Sequence, residues 1–268
     1  MRIRGRSLLA ALAVGLVSGT SAVAEDLPRW SLSTSFNYSV GDYGTDKDTT
    51  LIYIPFTLGV TPLDWLSLSV TVPYLHQTSQ NVVVTGGGVA VRKKDNGKLA
   101  RPADSTTEDG IGDVLLKAAV IAVKEGEFVP EIAPYFKIKV PTADEDRGLG
   151  TGEFDETLGV DLSKRLVGDL VGYLTLAYTF IGDPPGTDFH DSFGWSLGVS
   201  YTVTPPFSVF AFLEGSTAVT SGEDDPVELR VGAGYRLTKA LTLTGAVTRG
   251  LTDGAPDWAV SAGLALRF

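Results

Sequence analysis

Apolar and polar residues alternate along most of the chain between Trp30 and Phe268. The segment "SLSTSFNYSV" sets Leu32, Phe36 and other apolar residues against serine and asparagine, and the C-terminal segment "DWAVSAGLALRF" repeats the pattern. Successive side chains of a β-strand point to opposite faces, so this period of two predicts strands with one apolar face. The alternating segments are about ten residues long, which is the length that a tilted strand needs to cross a bilayer.

The pattern predicts about twelve strands, an even number as in bacterial single-chain barrels. They are expected at 30–40, 50–60, 65–75, 109–122, 129–140, 154–165, 170–181, 191–202, 207–218, 227–237, 240–250 and 257–268. Connections after odd-numbered strands, such as "PTADEDRGLGTGE", are long, whereas those after even-numbered strands, such as "TPLDW", are tight. Outer-membrane barrels show this asymmetry, with the short turns in the periplasm. The predicted fold class is therefore all-β, a transmembrane antiparallel β-barrel of about twelve strands.

The N-terminal segment has the features of a secretory signal peptide. Arginines precede an apolar run from about Leu8 to Val17, and a small-residue motif ending at Ala24 precedes the first acidic residues. The run is shorter than the roughly 20 apolar residues of a transmembrane helix. We therefore expect residues 1–24 to be a signal peptide and residues 25–268 to be a barrel domain in the bacterial outer membrane.

The chain carries a formal net charge of −10 and no cysteine. Nucleic-acid phosphates require a basic surface, so no nucleic-acid partner is expected. An exported fold without cysteine is held together without disulfides. The acidic stretches "ADED" and "GEDD" lack the ligand spacing of a calcium-binding loop, so neither a metal nor a cofactor is expected.

A secreted β-sandwich is the alternative fold, because its strands also alternate. A sandwich does not explain a second face of serine, glycine, threonine and paired charges on nearly every strand. The leader, the loop asymmetry and the strand length together favour a closed barrel whose apolar face contacts lipid.

In the predicted register, charged and aromatic side chains point into the barrel. The candidates for lining its lumen are Asp113, Lys117, Glu131, Tyr135, Lys137, Lys139, Asp155, Asp161, Tyr173, Glu214, Glu228, Arg230 and Arg236. Arg249, Arg267, Phe210 and Phe212 are assigned to the same face. Opposite charges on neighbouring strands either form a network that stiffens the wall or line a polar passage, and the rings either fill the lumen or stack on an aromatic solute.

Small residues share the inward face: Gly194, Ser196, Gly198, Ser200, Gly232, Gly234, Ala246, Ser261, Gly263 and Ala265. A barrel of about twelve strands lies between one of eight, which side chains fill, and one of sixteen, which holds a water channel. The sequence therefore predicts a narrow passage or a cavity for a single ligand.

The connection between His76 and Glu108 is about thirty residues long, far above ordinary hairpin loops. Its basic residues are candidates for a gating loop: Arg92, Lys93, Lys94, Lys98 and Arg101. The other long loops are acidic. Two interpretations stay open: the basic loop folds over or into the mouth and gates it, or it is a mobile hairpin outside the cell.

The chain is not expected to be an enzyme. His76 and His190 are its two histidines, and they lie at predicted strand ends near Ser79 and Ser192. A membrane-embedded lipid hydrolase with a Ser–His pair is therefore an alternative, although the sequence shows no GxSxG, P-loop or zinc spacing.

Three segments resemble an outer-membrane transporter family named for the meta-pathway of phenol degradation. They are "GIGDVLLKAAV" (110–120), "PYFKIKVPTADEDRGLGTGEFDETLGVDLSKRL" (134–166) and "AYTFIGDPPG" (177–186), and "KVPTAD" followed by "GLGTGEFD" is the most specific part. The resemblance implies a barrel for the uptake of aromatic or other hydrophobic compounds.

The expected function is passive uptake of small hydrophobic or aromatic compounds through an outer-membrane channel; a plugged structural or adhesion barrel is the main alternative. The expected partners are the lipid bilayer and the solute. The last strand, which ends in Phe268, also resembles the signal that the outer-membrane assembly machinery reads.

Overall fold

The computed structural model describes residues 29–43, 48–78, 82–85, 88–91, 93–94, 98–99 and 107–268. The predicted signal peptide lies outside these residues. No helix in the described part of the chain is long and apolar enough to span a membrane.

The regular secondary structure of the described residues consists of β-strands. Their limits are β1 Trp30–Gly41, β2 Thr49–Leu63, β3 Leu66–Gln77, β4 Val82–Thr85, β5 Gly88–Val91, β6 Lys93–Lys94, β7 Lys98–Leu99, β8 Glu108–Ile111, β9 Val114–Val120, β10 Glu131–Val140, β11 Asp155–Val167, β12 Leu170–Ile181, β13 Ser192–Thr204, β14 Phe207–Ser216, β15 Val227–Arg236, β16 Leu241–Gly250 and β17 Trp258–Arg267.

A single antiparallel sheet closes on itself. The strands pair in the order β2-β1-β17-β16-β15-β14-β13-β12-β11-β10-β9-β3, and β2 also pairs with β3, which completes the ring. β8 and β9 both pair with β3 and together form one interrupted wall strand. The result is the predicted closed barrel of twelve wall strands. Each predicted wall-strand limit lies within three residues of the observed one.

Large apolar side chains cover the outside of the barrel. Each wall strand exposes at least one of them: Phe36, Phe56, Leu68, Leu116, Phe136, Leu158, Tyr178, Leu197, Val209, Val231, Val247 and Val260. The residues between them are small or polar and turn inward; Leu197 is 57% exposed, whereas its neighbour Ser196 is 4% exposed. Apolar residues outside and polar residues inside are what a barrel in lipid requires, so the β-sandwich alternative is wrong.

The predicted strand 109–122 is interrupted where β8 gives way to β9. The two strands pair with β3 in registers that differ by one residue, and the extra residue falls in segment 112–113 opposite Pro73. Proline offers no N–H to the sheet, and Gly112 N donates to Pro73 O at 2.9 Å. A β-bulge bends its strand and re-aims the next side chain, which here is Asp113.

One end of the barrel carries mostly short turns, at 64–65, 168–169, 205–206 and 237–240. The turn between β9 and β10 is longer than predicted, because regular pairing stops at Val120 and resumes with a single bridge, Val123 to Ile132. Lys164, on the outer face of β11, donates to Glu127 O at 2.9 Å and so ties this turn to the wall. We refer to this end as the short-turn end and to the opposite end as the long-loop end.

Reversing the polarity of the outer face tests the orientation of the wall. We expect Leu197→Lys to lower the free energy of unfolding by about 2–4 kcal/mol, because it places a charge near the middle of the lipid-facing surface. Guanidinium titration of the protein folded in phosphatidylcholine vesicles measures this change.

Thr244→Lys is the matched control, since Thr244 is a half-buried inward residue that lies opposite Gly234 and Gly263. We expect it to change the same free energy by about 1 kcal/mol or less. Equal losses for the two variants would contradict the assignment of inner and outer faces.

Candidate functional site

A buried lysine holds together the inner wall at the long-loop end. Lys139 of β10 is 2% exposed, and its Nζ lies 3.1 Å from Asp113 Oδ2 and 3.2 Å from Asp155 Oδ2. It also donates to Thr151 Oγ1 at 2.6 Å. A cation so far from water is stable only with such partners, and the bulge before β9 is what brings Asp113 within reach.

Asp113 also fixes the loop 141–154. Its Oδ1 accepts backbone N–H bonds from Thr142 at 3.0 Å and Ala143 at 2.9 Å. Farther along the loop, Gln77 Nε2 of β3 donates to Gly148 O at 3.0 Å, and Leu149 is buried against apolar side chains of β2 and β3. The loop therefore folds inward across the mouth, and it is the "KVPTAD…GLGTGEFD" stretch that builds this arrangement.

A second charged group lies deeper on the same side. Lys117 Nζ is 3.2 Å from Asp161 Oδ2 and 3.8 Å from the centre of the Tyr135 ring. Thr175 donates to the other oxygen of Asp161 at 2.8 Å. Lys137 is the register partner of Lys117 and is half-buried, so this stretch of wall carries two cations and one carboxylate.

The opposite side of the interior combines charge with aromatic rings. Arg230 Nη2 lies 3.0 Å from Glu214 Oε1, and Glu228 is the register partner of Glu214. The Arg230 guanidinium lies 5.4 Å from the centre of the Phe212 ring, which in turn is 5.8 Å from that of Tyr173.

Two further candidates lie at the short-turn end. Glu131 is buried at the start of β10, and Arg236 is half-buried at the end of β15. Arg267, at the end of β17, occupies the same level and is also half-buried. The described structure thus places the lumen candidates on the inward face, in four groups.

Arg249 is an exception among the predicted inward charges. It lies on the outer face of β16, where its guanidinium stacks over the Trp258 ring at 4.8 Å and contacts Asp257 Oδ1 at 3.5 Å. The prediction was wrong because alternation along β16 turns Thr248 and Ala246 inward and therefore Arg249 outward.

A short strand from the long connection lies across the mouth. Val83 of β4 is buried with Ile181, Phe189 and Val219, which belong to the ends and loops around β12 to β15. Val84 packs against the cluster formed by Leu51, Leu75 and Leu149 on the side of β2 and β3. These two sides lie across the ring from each other, so β4 bridges the mouth.

The side chains of the basic gating candidates lie outside the described part of the structure. Lys93, Lys94 and Lys98 belong to the small hairpin β6–β7, and Arg92 and Arg101 lie outside the described residues. The mouth residues Gln77, Val83 and Leu149 were missed, because single apolar or amide side chains in loops carry no periodic signal. The apolar run "VVVT" (82–85) inside a basic loop was the one hint available.

His190 does not form the predicted pair with Ser192. His76 is on the outer face of β3, and its predicted neighbour Ser79 lies outside the described residues. His190 Nε2 is 2.9 Å from Ser221 Oγ, whereas Ser192 Oγ donates to Thr217 O. Within the described residues, no three His, Asp or Glu side chains are grouped as a metal site requires.

Removing the buried cation tests the role of Lys139. We expect Lys139→Met to lower the free energy of unfolding by about 3–5 kcal/mol, because it removes the buried cation that lies between two buried carboxylates. Loop 141–154 then detaches, so trypsin cleaves after Arg147 faster than in the unmodified protein. Guanidinium titration and a timed digest measure the two effects.

Arg249→Met is the control for this substitution, since the pair with Asp257 has side chains 47% and 55% exposed. Its expected cost is about 1 kcal/mol or less. If both variants unfold at the same denaturant concentration, the Lys139 cluster does not carry the stability assigned to it.

Comparison with known proteins places this barrel among outer-membrane proteins. The model of the family described as "Putative MetA-pathway of phenol degradation" matches residues 59–268. The sequence matches no curated protein.

Solved structures share the fold at low sequence identity. An outer-membrane channel of Pseudomonas putida F1 is 17% identical with a TM-score of 0.68, over 94% of this chain and 100% of that one. The KdgM porin is 11% identical with a TM-score of 0.54, over 88% and 99%. The CymD monoaromatic hydrocarbon channel is 10% identical with a TM-score of 0.50, over 90% and 89%.

Proposed function

The chain belongs to the family described as "Putative MetA-pathway of phenol degradation", and we propose that it is a passive channel for small hydrophobic or aromatic compounds. The observation that carries this proposal is the inner wall, where the half-buried rings of Tyr173, Phe210 and Phe212 stand among serine, threonine and glycine. Apolar patches with a few placed polar groups are typical of sites for small apolar ligands. A structural neighbour named as a monoaromatic hydrocarbon channel supports the same solute class.

We propose that the long-loop end faces the outside of the cell, as the loop asymmetry of outer-membrane barrels requires. The solute then meets β4 and loop 141–154 first. Both lie across the mouth, so they are the proposed gate. The acidic loops 182–191 and 217–226 form the opposite rim of the mouth.

The chain ends support a route through the assembly machinery of the outer membrane. Trp30 and Phe268 exchange two backbone hydrogen bonds of 3.0 Å, so the terminal residue closes the barrel. We propose that the machinery recognises the last strand through Phe268 after removal of the leader at Ala24.

The packed mouth favours one alternative, a barrel that is permanently plugged. In that case the two apolar clusters at β4 are a lid that does not open, and the loops serve for surface contacts. Passage of solute separates the two functions. The contacts of His190 and Ser192 give no support to a lipid hydrolase.

Flux into liposomes tests the channel directly. We expect liposomes containing the wild-type barrel to swell in isosmotic phenylalanine, a small aromatic solute that crosses bare lipid slowly, faster than protein-free liposomes do. Equal swelling rates would contradict the channel and leave the plugged barrel.

Ion selectivity tests the inner wall. Lys137→Met removes an interior cation, so we expect the reversal potential in a KCl gradient to move toward cation selectivity, with a change in permeability ratio of about twofold to tenfold. Arg249→Met removes a cation from the outer face and is expected to leave the ratio unchanged. A shift of equal size in both variants would contradict an ion path along Lys137.

Loosening the mouth tests the gate. Val83→Asn places an amide in an apolar cluster at a cost of about 1–3 kcal/mol, which shifts the ratio of closed to open mouths by about fivefold to a hundredfold. We therefore expect faster phenylalanine flux than in the wild type. Leu251→Asn, at an exposed residue of the same end, is the control and is expected to have wild-type flux. Unchanged flux in Val83→Asn would show that β4 does not limit passage.

A further inference from the structure

Three aromatic side chains of the inner wall lie opposite glycines on the neighbouring strand. The direct register pairs are Tyr135 with Gly159, Phe212 with Gly198, and Phe210 with Gly232. Directly opposite residues of an antiparallel pair project from the same face of the sheet, so each ring stands beside a position that has no side chain.

Each ring occupies the space that a side chain would take at its glycine. A Cβ atom built on Gly159, Gly198 or Gly232 would overlap the ring opposite. The rings therefore cover the bare backbone of these glycines instead of projecting into the lumen. Aromatic residues cover glycines in the same way in other sheets. In this position each ring takes little of the bore and turns one side toward the interior.

The three rings differ in what covers that inner side. The ammonium of Lys117 lies 3.8 Å from the centre of the Tyr135 ring and occupies its face. Phe212 instead lies between Phe210 and Tyr173, with centre-to-centre distances of 5.9 Å and 5.8 Å and ring planes inclined by 61° and 37°. The Arg230 guanidinium is farther from the Phe212 ring, at 5.4 Å from its centre. Phe210, Phe212 and Tyr173 are half-buried and point inward, so their remaining accessible surface faces the lumen. We call Tyr173, Phe210 and Phe212 the aromatic shelf.

Charges beside the shelf select against an anionic solute. Arg230 is the nearest cation, but its guanidinium is already paired with Glu214 at 3.0 Å, and Glu228 adds a second carboxylate at the next strand. The one cation beside the shelf is thus already matched by a carboxylate. A solute without net charge needs no partner of opposite charge there.

We propose that the aromatic shelf is a stacking site for a planar aromatic ring of no net charge, and that Gly198 and Gly232 create it by leaving room for the rings of Phe212 and Phe210 against the wall. The proposal rests on the passive channel proposed above and names where its solute binds. A planar aromatic ring can stack on one of these inclined rings and meet its neighbour edge to face, whereas a puckered saturated ring of the same size has no aromatic face and touches them at a few hydrogens. Offset stacking adds to simple burial, so the planar solute gains the preference.

Phenylalanine and cyclohexylalanine are suitable probes, because they differ only in the planarity and aromaticity of the ring. Their binding to the full barrel in lipid nanodiscs is followed by saturation-transfer NMR. We expect the wild type to bind phenylalanine about twofold to tenfold more tightly than cyclohexylalanine. Phe212→Leu removes the central ring and is expected to abolish this preference.

Gly198→Ala tests the role of the glycine without changing any ring. Its methyl group displaces the Phe212 ring from the wall, so we expect the preference to fall toward that of Phe212→Leu. Gly194→Ala is the matched control on the same strand and face, because a Cβ there has its nearest neighbour, Gly215 O, at 4.0 Å. It is expected to keep the wild-type preference. The heat-dependent gel mobility of folded barrels confirms that each variant is folded before it is compared.

The outcomes separate this site from the channel itself. Equal binding of the two solutes by the wild type, or a preference that survives in Phe212→Leu, overturns the shelf. Preferential binding without any flux into liposomes supports the shelf and overturns the channel. Flux of both solutes with no binding preference leaves the channel and overturns the shelf.

Discussion

The structure depends on one constraint: no backbone N–H or C=O group can be left unpaired in contact with lipid. An open sheet would present two such edges, and the pairing of β1 with β17 removes both. Every other property of the wall follows from closure. Alternation then assigns each residue to lipid or lumen, and the outer positions are filled with leucine, valine, isoleucine and aromatic residues. At Pro73, which has no N–H, the bulge opposite still pairs the carbonyl oxygen through Gly112 N.

On the inner face of the barrel, buried polar side chains also need partners, and many of them are paired in salt bridges. Lys139 with its two carboxylates, Lys117 with Asp161, and Arg230 with Glu214 are pairs between neighbouring strands. Such pairs seldom add much net stability over apolar packing, but they are costly to break. They line the interior with polar groups and hold the rings and loops in position. The network therefore stiffens the wall, and in the proposed channel it also lines the passage.

Much of this fold could be predicted because the alternation of apolar and polar residues shows which face of each strand contacts lipid. The ring of strands and the inward positions of Asp161, Lys137 and Glu214 follow from counting along each strand. Alternation predicts nothing at bulges and in loops, where the period of two is lost. The bulge at Gly112–Asp113 depends on a proline in a different strand, and the inward path of loop 141–154 depends on contacts with β3. Arg249 shows the opposite risk, since a slip of one residue moves a charge to the wrong face.

The geometry of β4 determines how the mouth can change. Val83 and Val84 are consecutive, so they point in opposite directions, one into the cluster near Phe189 and the other into the cluster around Leu75. In the proposed gate, displacing β4 as a unit uncouples both clusters at once. We therefore expect the entrance to switch between two discrete arrangements rather than to widen by degrees.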